Sequence, residues 1–219
     1  MQRLFFDMDG TLIDSMEYWN GIKREMTLSY YRRTGIMPEI SDEDDEKLEG
    51  MTIRSAVKFI NEKYGCKIST ELDVRRPLAY FYADECKPKP FVLDALSYFK
   101  EHGVKMAIIT ATPRSLAEIA LEKQGMLEFF DFILTPEDSE GGKRRRRIYY
   151  KACLKARCLP RNAVLIDDAA YALRTAARAR LRCVAVYDEF RKDKAQNACD
   201  ISFNDFGELL DYFKKHGKF

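Results

Sequence analysis

Near its start the chain carries the stretch Leu4-Phe5-Phe6-Asp7-Met8-Asp9-Gly10-Thr11-Leu12-Ile13-Asp14-Ser15. The apolar residues 4–6 are enough for a short buried strand. Residues two apart in a strand share a face, so Asp7 and Asp9 begin on one side. Gly10 lets the backbone leave the strand by a path that other residues resist. Two acids at the carboxyl end of a strand suit nucleophilic and acid–base chemistry around a metal, whereas an Asp- and Gly-rich turn is the simpler alternative.

The same residues also carry a family resemblance. Residues 7–15 resemble the first motif of the haloacid dehalogenase-like hydrolases, Asp-x-Asp-Gly-Thr-Leu-x-Asp-Ser, in the phosphoglycolate phosphatase and β-phosphoglucomutase-like branch. The resemblance implies an α/β fold, with a doubly wound, mostly parallel sheet and an inserted α-helical cap domain. It also implies that Asp7 accepts the phosphoryl group and that Asp9 is the general acid and base.

A helical pattern without a convincing strand runs from residue 15 to about residue 85. We interpret residues 15–85 as the helical cap domain, and residues 1–14 and 86–219 as the α/β core domain. Three helices are predicted in the cap: one capped by Asp14 or Ser15 that runs through Met16, Trp19, Ile22, Met26 and Tyr30 to Gly35, with Pro38 as a breaker; one from Ile53 to Tyr64; and one from about Ser69 to Cys86, with Pro77 interrupting or redefining its start.

In the rest of the chain, predicted strands alternate with predicted helices. This alternation favours a mostly parallel sheet with helices on both faces. The further predicted strands are Val104–Thr110, Phe132–Leu134, Ala163–Asp167, Cys183–Tyr187 and a short Ile201–Phe203. The predicted helices are Phe91–His102, Pro113–Gln124, Ile148–Ala156, Ala169–Arg180 and Phe206–Lys215.

The composition describes a soluble globular protein without a bulk charge signal for nucleic acid or membranes. Its 219 residues are 46% hydrophobic and 33% charged, with 37 basic against 35 acidic side chains. Six cysteines without paired spacing and only two histidines argue against a zinc site. Residues 1–3 lead directly into the first strand without a signal peptide, and no apolar run approaches the ~20 residues of a membrane span. We therefore expect a cytoplasmic, reduced protein.

A second loop of interest follows the predicted strand that ends at Thr110. Thr112 can cap the next helix with Pro113 as its first residue, which leaves free N–H groups pointing at the loop. Such a helix start favours phosphate, although a capped helix and nothing more is the simpler interpretation. The loop resembles the second motif of the family, an apolar strand that ends in Ser or Thr. By that match, Thr110 and the adjacent Ala111 bind the phosphoryl group.

The third loop contains the basic run Lys143-Arg144-Arg145-Arg146-Arg147 after two glycines. Lys143 resembles the third-motif lysine, which in the family neutralises the nucleophilic carboxylate and the phosphate. The usual Lys-Pro-x-Pro is absent, so one of the arginines could take this role instead. Residues 144–147 are interpreted as a solvated helix start. Their positive charge at a helix N-terminus is unfavourable, so an anionic partner such as a second substrate phosphate stays open.

The fourth loop is Asp167-Asp168, directly after a predicted strand. Paired carboxylates there, next to those of the first loop, supply the hard oxygen ligands that Mg²⁺ prefers. The commoner family form, Gly-Asp-x-x-x-Asp, is not present, and the chain fits the variant with two consecutive acids. By resemblance, Asp7, Asp167 and the backbone carbonyl of Asp9 ligate the metal. Asp168 either supports the metal through water or by orienting Asp167, or merely caps the following helix.

Together the motifs predict a Mg²⁺-dependent phosphatase that hydrolyses a small organic phosphate monoester through an aspartyl-phosphate on Asp7. A sugar phosphomutase of the same fold is the alternative, and a hydrolytic dehalogenase is disfavoured because it needs no acid at Asp9. A different class, an inactive nucleic-acid-binding protein that uses residues 143–147, is opposed by the retention of both acids of the first motif.

The expected partner is a small phosphorylated metabolite, with no nucleic acid and no membrane, and the protein is expected to be a monomer or homodimer. Its substrate is not identifiable from the cap. Residues 50–54, Gly50-Met51-Thr52-Ile53-Arg54, resemble a substrate-facing cap loop, although a plain helix start has a similar sequence. Arg54 is therefore a candidate substrate contact.

Overall fold

The computed structural model describes residues 2–21, 31, 34–37, 39–48, 51–191 and 195–219. In this part of the chain the strands are β1 (Arg3–Phe6), β2 (Ile13–Asp14), β3 (Lys87–Pro88), β4 (Lys105–Ile109), β5 (Ile133–Leu134), β6 (Ala163–Asp167), β7 (Arg182–Val186) and β8 (Ile201–Phe203). Six of them form one sheet in the order β5-β4-β1-β6-β7-β8, and every pairing in it is parallel.

Helices cover the sheet, and further helices lie among the described residues between β2 and β3. The α-helices are α1 (Asp42–Leu48), α2 (Ile53–Tyr64), α3 (Arg76–Tyr80), α4 (Val92–Glu101), α5 (Arg114–Lys123), α6 (Arg146–Lys155), α7 (Ala170–Arg178) and α8 (Phe206–His216), and residues 16–21 are also helical. Two π-helical stretches, Thr70–Arg75 and Phe81–Glu85, flank α3 directly.

β1 lies at the centre of the sheet because its side chains are apolar on both faces. Leu4 and Phe6 pack in one core cluster with residues of α4, α5 and α8, whereas Phe5 packs in the other with residues of α6 and α7. All three are buried, and a fully buried Phe contributes roughly 1.5–3 kcal/mol relative to an exposed one. The alternation of faces thus places helices on both sides of the sheet.

The parallel α/β sheet that the sequence predicts is confirmed. Every predicted strand is present to within about a residue or two, and the strand Ala163–Asp167 agrees at both ends. Because β1, β4 and β6 are parallel neighbours, their carboxyl ends lie at one edge of the sheet. The loops that carry the first, second and fourth motifs therefore meet there.

Between β2 and β3 most of the described residues are helical, as predicted. The helix Ile53–Tyr64 has its predicted bounds and ends at Gly65, whose φ of 65° is the left-handed C-cap conformation. Of the first predicted helix, residues 16–21, 31 and 34 are helical and Gly35 is not, while its positions Ile22, Met26 and Tyr30, and the breaker Pro38, lie outside the described residues. The division into core and cap domains stays a prediction.

Two features of this segment differ from the sequence predictions. α1 was not predicted, because its sequence DEDDEKL has no apolar periodicity. Its helical signals are the acids in its first turn and the preceding Ser41, whose hydroxyl accepts from the Asp44 N–H. The predicted single helix over residues 69–86 contains α3 between two π-helical stretches, with Pro77 in the first turn of α3, where its missing N–H costs little.

The short antiparallel pair of β2 and β3 was also missed. It joins Ile13 to Pro88 and Asp14 to Lys87, so the two ends of the helical segment leave the sheet side by side. Two residues per strand, one of them Pro, are too few for a sequence signal. In the part of the chain that the structure describes, no helix is long and apolar enough to cross a membrane.

Candidate active site

Three carboxylates from two neighbouring strands meet at the carboxyl edge of the sheet. The Asp7 N–H donates to the carbonyl of Ile166, which continues the pairing of β1 with β6 one residue past the strand. This register sets Asp7 beside Asp167 and Asp168, and one carboxylate oxygen of each lies within 4.8 Å of the others. All three side chains are buried. Their mutual repulsion is strong at such distances, so a positive charge among them stabilises their ionised forms.

Lys143 supplies that charge. Its Nζ lies 2.6 Å from Oδ2 of Asp7 and 2.7 Å from Oδ2 of Asp167, and the side chain is buried. The preceding Gly141 and Gly142 have φ values of 78° and 47°, which turn the chain so that residue 143 points inward. The sequence left open whether Lys143 or an arginine lies at this place. The structure places Lys143 there, while residues 144–147 are exposed.

The electrostatics of this cluster favour a further cation. Burial raises the pKa of Asp7 well above its usual value; Lys143 opposes that shift, and Asp167 and Asp168 add to it. Burial alone would lower the pKa of Lys143, but the charges of Asp167 and Asp7 outweigh it, and the pKa is raised, so the ammonium keeps its proton. Two of the three carboxylates, those of Asp7 and Asp167, thus share the Lys143 ammonium. Oδ1 of Asp7 has no hydrogen-bond partner among the described residues, so it is available to a metal or a phosphorus atom.

Asp9 is held by three hydroxyl groups from three parts of the chain. Its Oδ1 accepts from Ser15 Oγ at 2.8 Å and from Tyr82 Oη at 2.7 Å, and its Oδ2 accepts from Thr112 Oγ1 at 2.6 Å. Burial and the Asp9 charge raise the pKa of Tyr82 well above its usual value, which keeps its hydroxyl a donor. Ser15 and Tyr82 belong to the two ends of the helical segment, so this segment contacts Asp9 directly.

These contacts correct one prediction and supply residues that the sequence did not indicate. Thr112 does not cap the following helix: the N-cap of α5 is Pro113, and the Thr112 hydroxyl points to Asp9 instead. The Tyr82 contact spans 73 positions in sequence and has no local pattern that could reveal it. Ser15 could have been found, since it closes the first motif.

The second-motif residues lie beside these groups. Thr110 is buried, its N–H donates to the carbonyl of Leu134, and its hydroxyl accepts from the Thr112 N–H. Ala111 lines a cavity of about 410 Å³ together with Lys143. Helix α2 and the residues before it close the opposite side of this cavity, so the space lies between the sheet edge and the helical segment. Its further lining includes Met51, Thr52, Ser55, Lys58, Phe59 and Arg144.

Arg54 does not line this cavity. It is exposed and lines a neighbouring cleft of about 570 Å³, together with Arg75 and Glu137. Thr52 and Pro136 border both spaces, so the cleft continues from the cavity that contains Lys143. The structure therefore places Arg54 one cleft away from the carboxylates.

Asp168 does not take the capping role that the sequence left open. Ala169 is the N-cap residue of α7, while Oδ1 of Asp168 accepts from the Thr11 hydroxyl at 2.8 Å. Gly10 packs against the same carboxylate: a Cβ at Gly10 would lie 2.5 Å from Oδ2 of Asp168, and its φ of 77° also favours glycine. Oδ1 of Asp167 accepts from the Ala169 N–H at 2.9 Å, which fixes that side chain.

Comparisons with known proteins show the family and the fold that this chain resembles. A family model described as haloacid dehalogenase-like hydrolase matches residues 4–186. The validoxylamine A 7′-phosphate phosphatase of Streptomyces hygroscopicus subsp. limoneus is 29% identical over 209 residues, 93% of either chain. The phosphorylated carbohydrates phosphatase of Thermotoga maritima is 23% identical over 171 residues, 77% of this chain and 76% of that protein. The structure of CbbY from Rhodobacter sphaeroides in complex with phosphate shares the fold, with a TM-score of 0.77 at 20% identity over 95% of this chain and 96% of that chain.

Proposed function

The chain belongs to the haloacid dehalogenase-like hydrolases, and we propose from this premise that it is a Mg²⁺-dependent phosphatase acting on a small organic phosphate monoester. The observation that carries the proposal is the buried cluster in which Lys143 lies between Asp7 and Asp167, with a cavity opening beside it. The names of the two curated relatives support a phosphoric monoester hydrolase. They also favour hydrolysis over the mutase reaction.

In the proposed first step, Asp7 attacks the phosphorus atom of the substrate. An oxygen of its carboxylate forms a bond to phosphorus, the bond between phosphorus and the leaving oxygen breaks, and Asp9, which enters this step as the carboxylic acid, gives the leaving oxygen its proton and becomes a carboxylate. Asp7 then carries the phosphoryl group. Lys143 and the loop of Thr110 and Ala111 hold the phosphoryl oxygens, whose negative charge the buried ammonium offsets.

In the proposed second step, Asp9 acts as a base. It takes a proton from a water molecule, whose oxygen bonds to phosphorus while the bond to Asp7 breaks. Inorganic phosphate leaves, Asp7 is again a carboxylate, and Asp9 is again the carboxylic acid. The hydroxyl groups of Ser15, Tyr82 and Thr112 hold the Asp9 oxygens in place for both proton transfers. The helical segment that lines the cavity limits the access of bulk water.

The residues present fit Mg²⁺. Asp7, Asp167 and Asp168 offer hard oxygen ligands close together, and Oδ1 of Asp7 is buried without a partner among the described residues. Asp7, Asp167 and the Asp9 carbonyl would hold the ion, with Asp168 supporting them. Bound there, Mg²⁺ would neutralise charge on the transferring phosphoryl group.

A panel of phosphorylated metabolites and p-nitrophenyl phosphate, assayed with Mg²⁺ and with EDTA, tests the proposal. We expect release of inorganic phosphate that EDTA abolishes. Release of a phosphorylated isomer without inorganic phosphate would identify a mutase instead. A folded protein that releases no phosphate from any ester, but binds RNA with a steep salt dependence, would support the alternative use of residues 143–147.

Replacing Asp9 separates its proposed role from that of Asp7. In Asp9→Asn, kcat/KM for alkyl phosphates is expected to fall by about 100-fold or more, because their leaving oxygen needs a proton. The fall for p-nitrophenyl phosphate is expected to be less than about 10-fold, since its leaving group is already stable as an anion. Equal losses for both substrates would contradict the assignment of Asp9 as the acid.

Replacing Asp168 tests its support of the metal. Asp168→Asn keeps an oxygen that can accept from Thr11 but removes a charge beside Asp167. We expect the Mg²⁺ concentration for half-maximal turnover to rise about 10-fold, while turnover at saturating Mg²⁺ stays within about five-fold of the wild type. Complete loss at saturating Mg²⁺ would make Asp168 an indispensable ligand. An unchanged Mg²⁺ titration would reduce its role to holding Thr11.

A further inference from the structure

Lys89 has a contact set that the proposed mechanism does not use. It follows β3, where the chain returns from the helical segment to the sheet, and only 15% of its side chain is exposed. Its Nζ donates to the carbonyl of Gly10 at 2.8 Å, to the carbonyl of Tyr187 at 3.0 Å and to Oδ2 of Asp188 at 2.9 Å. An ammonium has three N–H donors, and here each one has an acceptor.

Of these three hydrogen bonds, the one from Lys89 Nζ to the Gly10 carbonyl affects the proposed metal site. This carbonyl belongs to the residue after Asp9, and Gly10 lies directly against the Asp168 carboxylate. The backbone of Lys89 adds a second tie to the same loop, since its N–H donates to the carbonyl of Leu12 at 2.9 Å. A shift of the Gly10 peptide would therefore move the Asp9 carbonyl and change the space available to Asp168.

Asp188 fixes the other side of Lys89. It follows β7, its side chain is 2% exposed, and its Oδ1 accepts from the Phe190 N–H at 3.0 Å. Lys89 thus connects the loop after β1 to the loop after β7 through a largely buried ion pair. Such a pair costs desolvation energy, and it is best explained where it fixes the relative position of the groups it joins.

We propose that Lys89 is a positioning residue for the metal site: by holding the Gly10 carbonyl against the loop after β7, it sets the Asp9 carbonyl and the Asp168 carboxylate in the arrangement that binds a divalent cation. The inference rests on the proposed function, because it requires a metal at the carboxylate cluster. It adds a residue that lies outside all four motifs.

The substitution Lys89→Met tests this, since it keeps the length of the side chain but removes the donors. We expect the dissociation constant for Mn²⁺, measured from the electron paramagnetic resonance signal of the free ion, to rise about 10-fold. The Mg²⁺ concentration for half-maximal turnover of p-nitrophenyl phosphate rises by a similar factor, while KM for the ester at saturating Mg²⁺ changes less than about two-fold. Lys87→Met is the matched control, because Lys87 is exposed two residues earlier, and it leaves both metal measurements unchanged.

The outcomes distinguish this inference from the proposed function. Equal Mn²⁺ affinity in folded Lys89→Met and wild type, even with a lower Tm, overturns the inference alone and leaves Lys89 a structural residue. A wild type that binds Mn²⁺ but hydrolyses no phosphate ester overturns the proposed function, while the Mn²⁺ comparison still decides the inference. A wild type that binds no Mn²⁺ overturns the inference together with the metal part of the function.

Two further measurements test the inference independently of Lys89→Met. Asp188→Asn keeps both carbonyl acceptors and is expected to weaken Mn²⁺ binding about three-fold; no weakening overturns the inference. Lys89→Ala enlarges the cavity of about 210 Å³ that Lys89 lines with Tyr187 and Asp188. Ethylammonium is expected to restore its Mn²⁺ affinity, whereas tetramethylammonium, which has the charge but no N–H donor, is not. Restoration by both ions or by neither contradicts a role in holding the Gly10 carbonyl.

Discussion

Asp7→Asn is expected to lower kcat for p-nitrophenyl phosphate by at least about three orders of magnitude, because the amide cannot form the phosphoryl-enzyme. The loss persists at saturating Mg²⁺ and at saturating substrate, since it lies in the chemical step. The same variant is expected to have a Tm equal to or above that of the wild type. Burial raises the pKa of Asp7, which means that its ionised form is destabilised in the folded protein, and the amide removes that cost.

Turnover of p-nitrophenyl phosphate by purified wild type, Asp7→Asn and Asp211→Asn checks this expectation. Asp211 is an exposed acid in α8, far along the chain from the site loops, and its amide variant is expected to retain wild-type turnover. Acid quenching of the wild type during turnover, followed by mass spectrometry, is expected to find the phosphoryl group on the peptide that contains Asp7. Substantial Mg²⁺-dependent turnover by folded Asp7→Asn would end the proposed mechanism.

The core was predictable from sequence because local pattern and global fold agree there. Ala163–Asp167 is an apolar run that ends in an acid, and it is a strand with those bounds. α1 was not predictable in this way, because its seven residues contain a single apolar one, Leu48. The π-helical turns beside α3 could not be predicted either. Their spacing of apolar residues is too close to that of an α-helix for the sequence to distinguish the two.

In the candidate site, the acids of the motif loops could be predicted from the sequence, but the contacts that hold them could not. The acids follow strands, so the parallel sheet alone brings Asp7 and Asp167 together. The contacts of Asp9 with Tyr82, and of Lys89 with Gly10, join distant segments and depend on how the helical segment packs. The basic run posed a different problem: five consecutive cations are equivalent in charge, and only the backbone turn at Gly141 and Gly142 selects Lys143.

Lys143→Met is expected to affect stability and activity together. Removing one partner of a buried ion-paired group costs about 3–5 kcal/mol of unfolding free energy, because the remaining charges stay buried without compensation. Here Asp7 and Asp167 both lose the same ammonium. Turnover at saturating Mg²⁺ is expected to fall by about 100-fold or more, since the variant also loses the charge that faces the phosphoryl oxygens. Urea unfolding and turnover of p-nitrophenyl phosphate measure the two effects.

The dependence of the stability loss on pH identifies its cause. The pKa of Asp7 is raised in the folded protein, and Lys143 is the group that opposes this shift, so its removal raises the pKa further. An acid with a raised pKa destabilises the fold as pH rises through that pKa, and costs nothing below the pKa of the unfolded chain. The difference in unfolding free energy between wild type and Lys143→Met is therefore expected to be smaller at pH 5 than at pH 7.

The effect of Mg²⁺ on the Tm of Lys143→Met distinguishes an electrostatic cause of the stability loss from a packing cause. Because a cation at the carboxylates replaces part of the lost charge, Mg²⁺ is expected to raise the Tm of Lys143→Met more than that of the wild type. Arg147→Met, an exposed position in the same basic run, is the matched control and is expected to keep wild-type stability, pH dependence and turnover. A stability loss that is equal at both pH values and insensitive to Mg²⁺ would contradict the conclusion that the Lys143 ammonium balances the negative charge of the cluster.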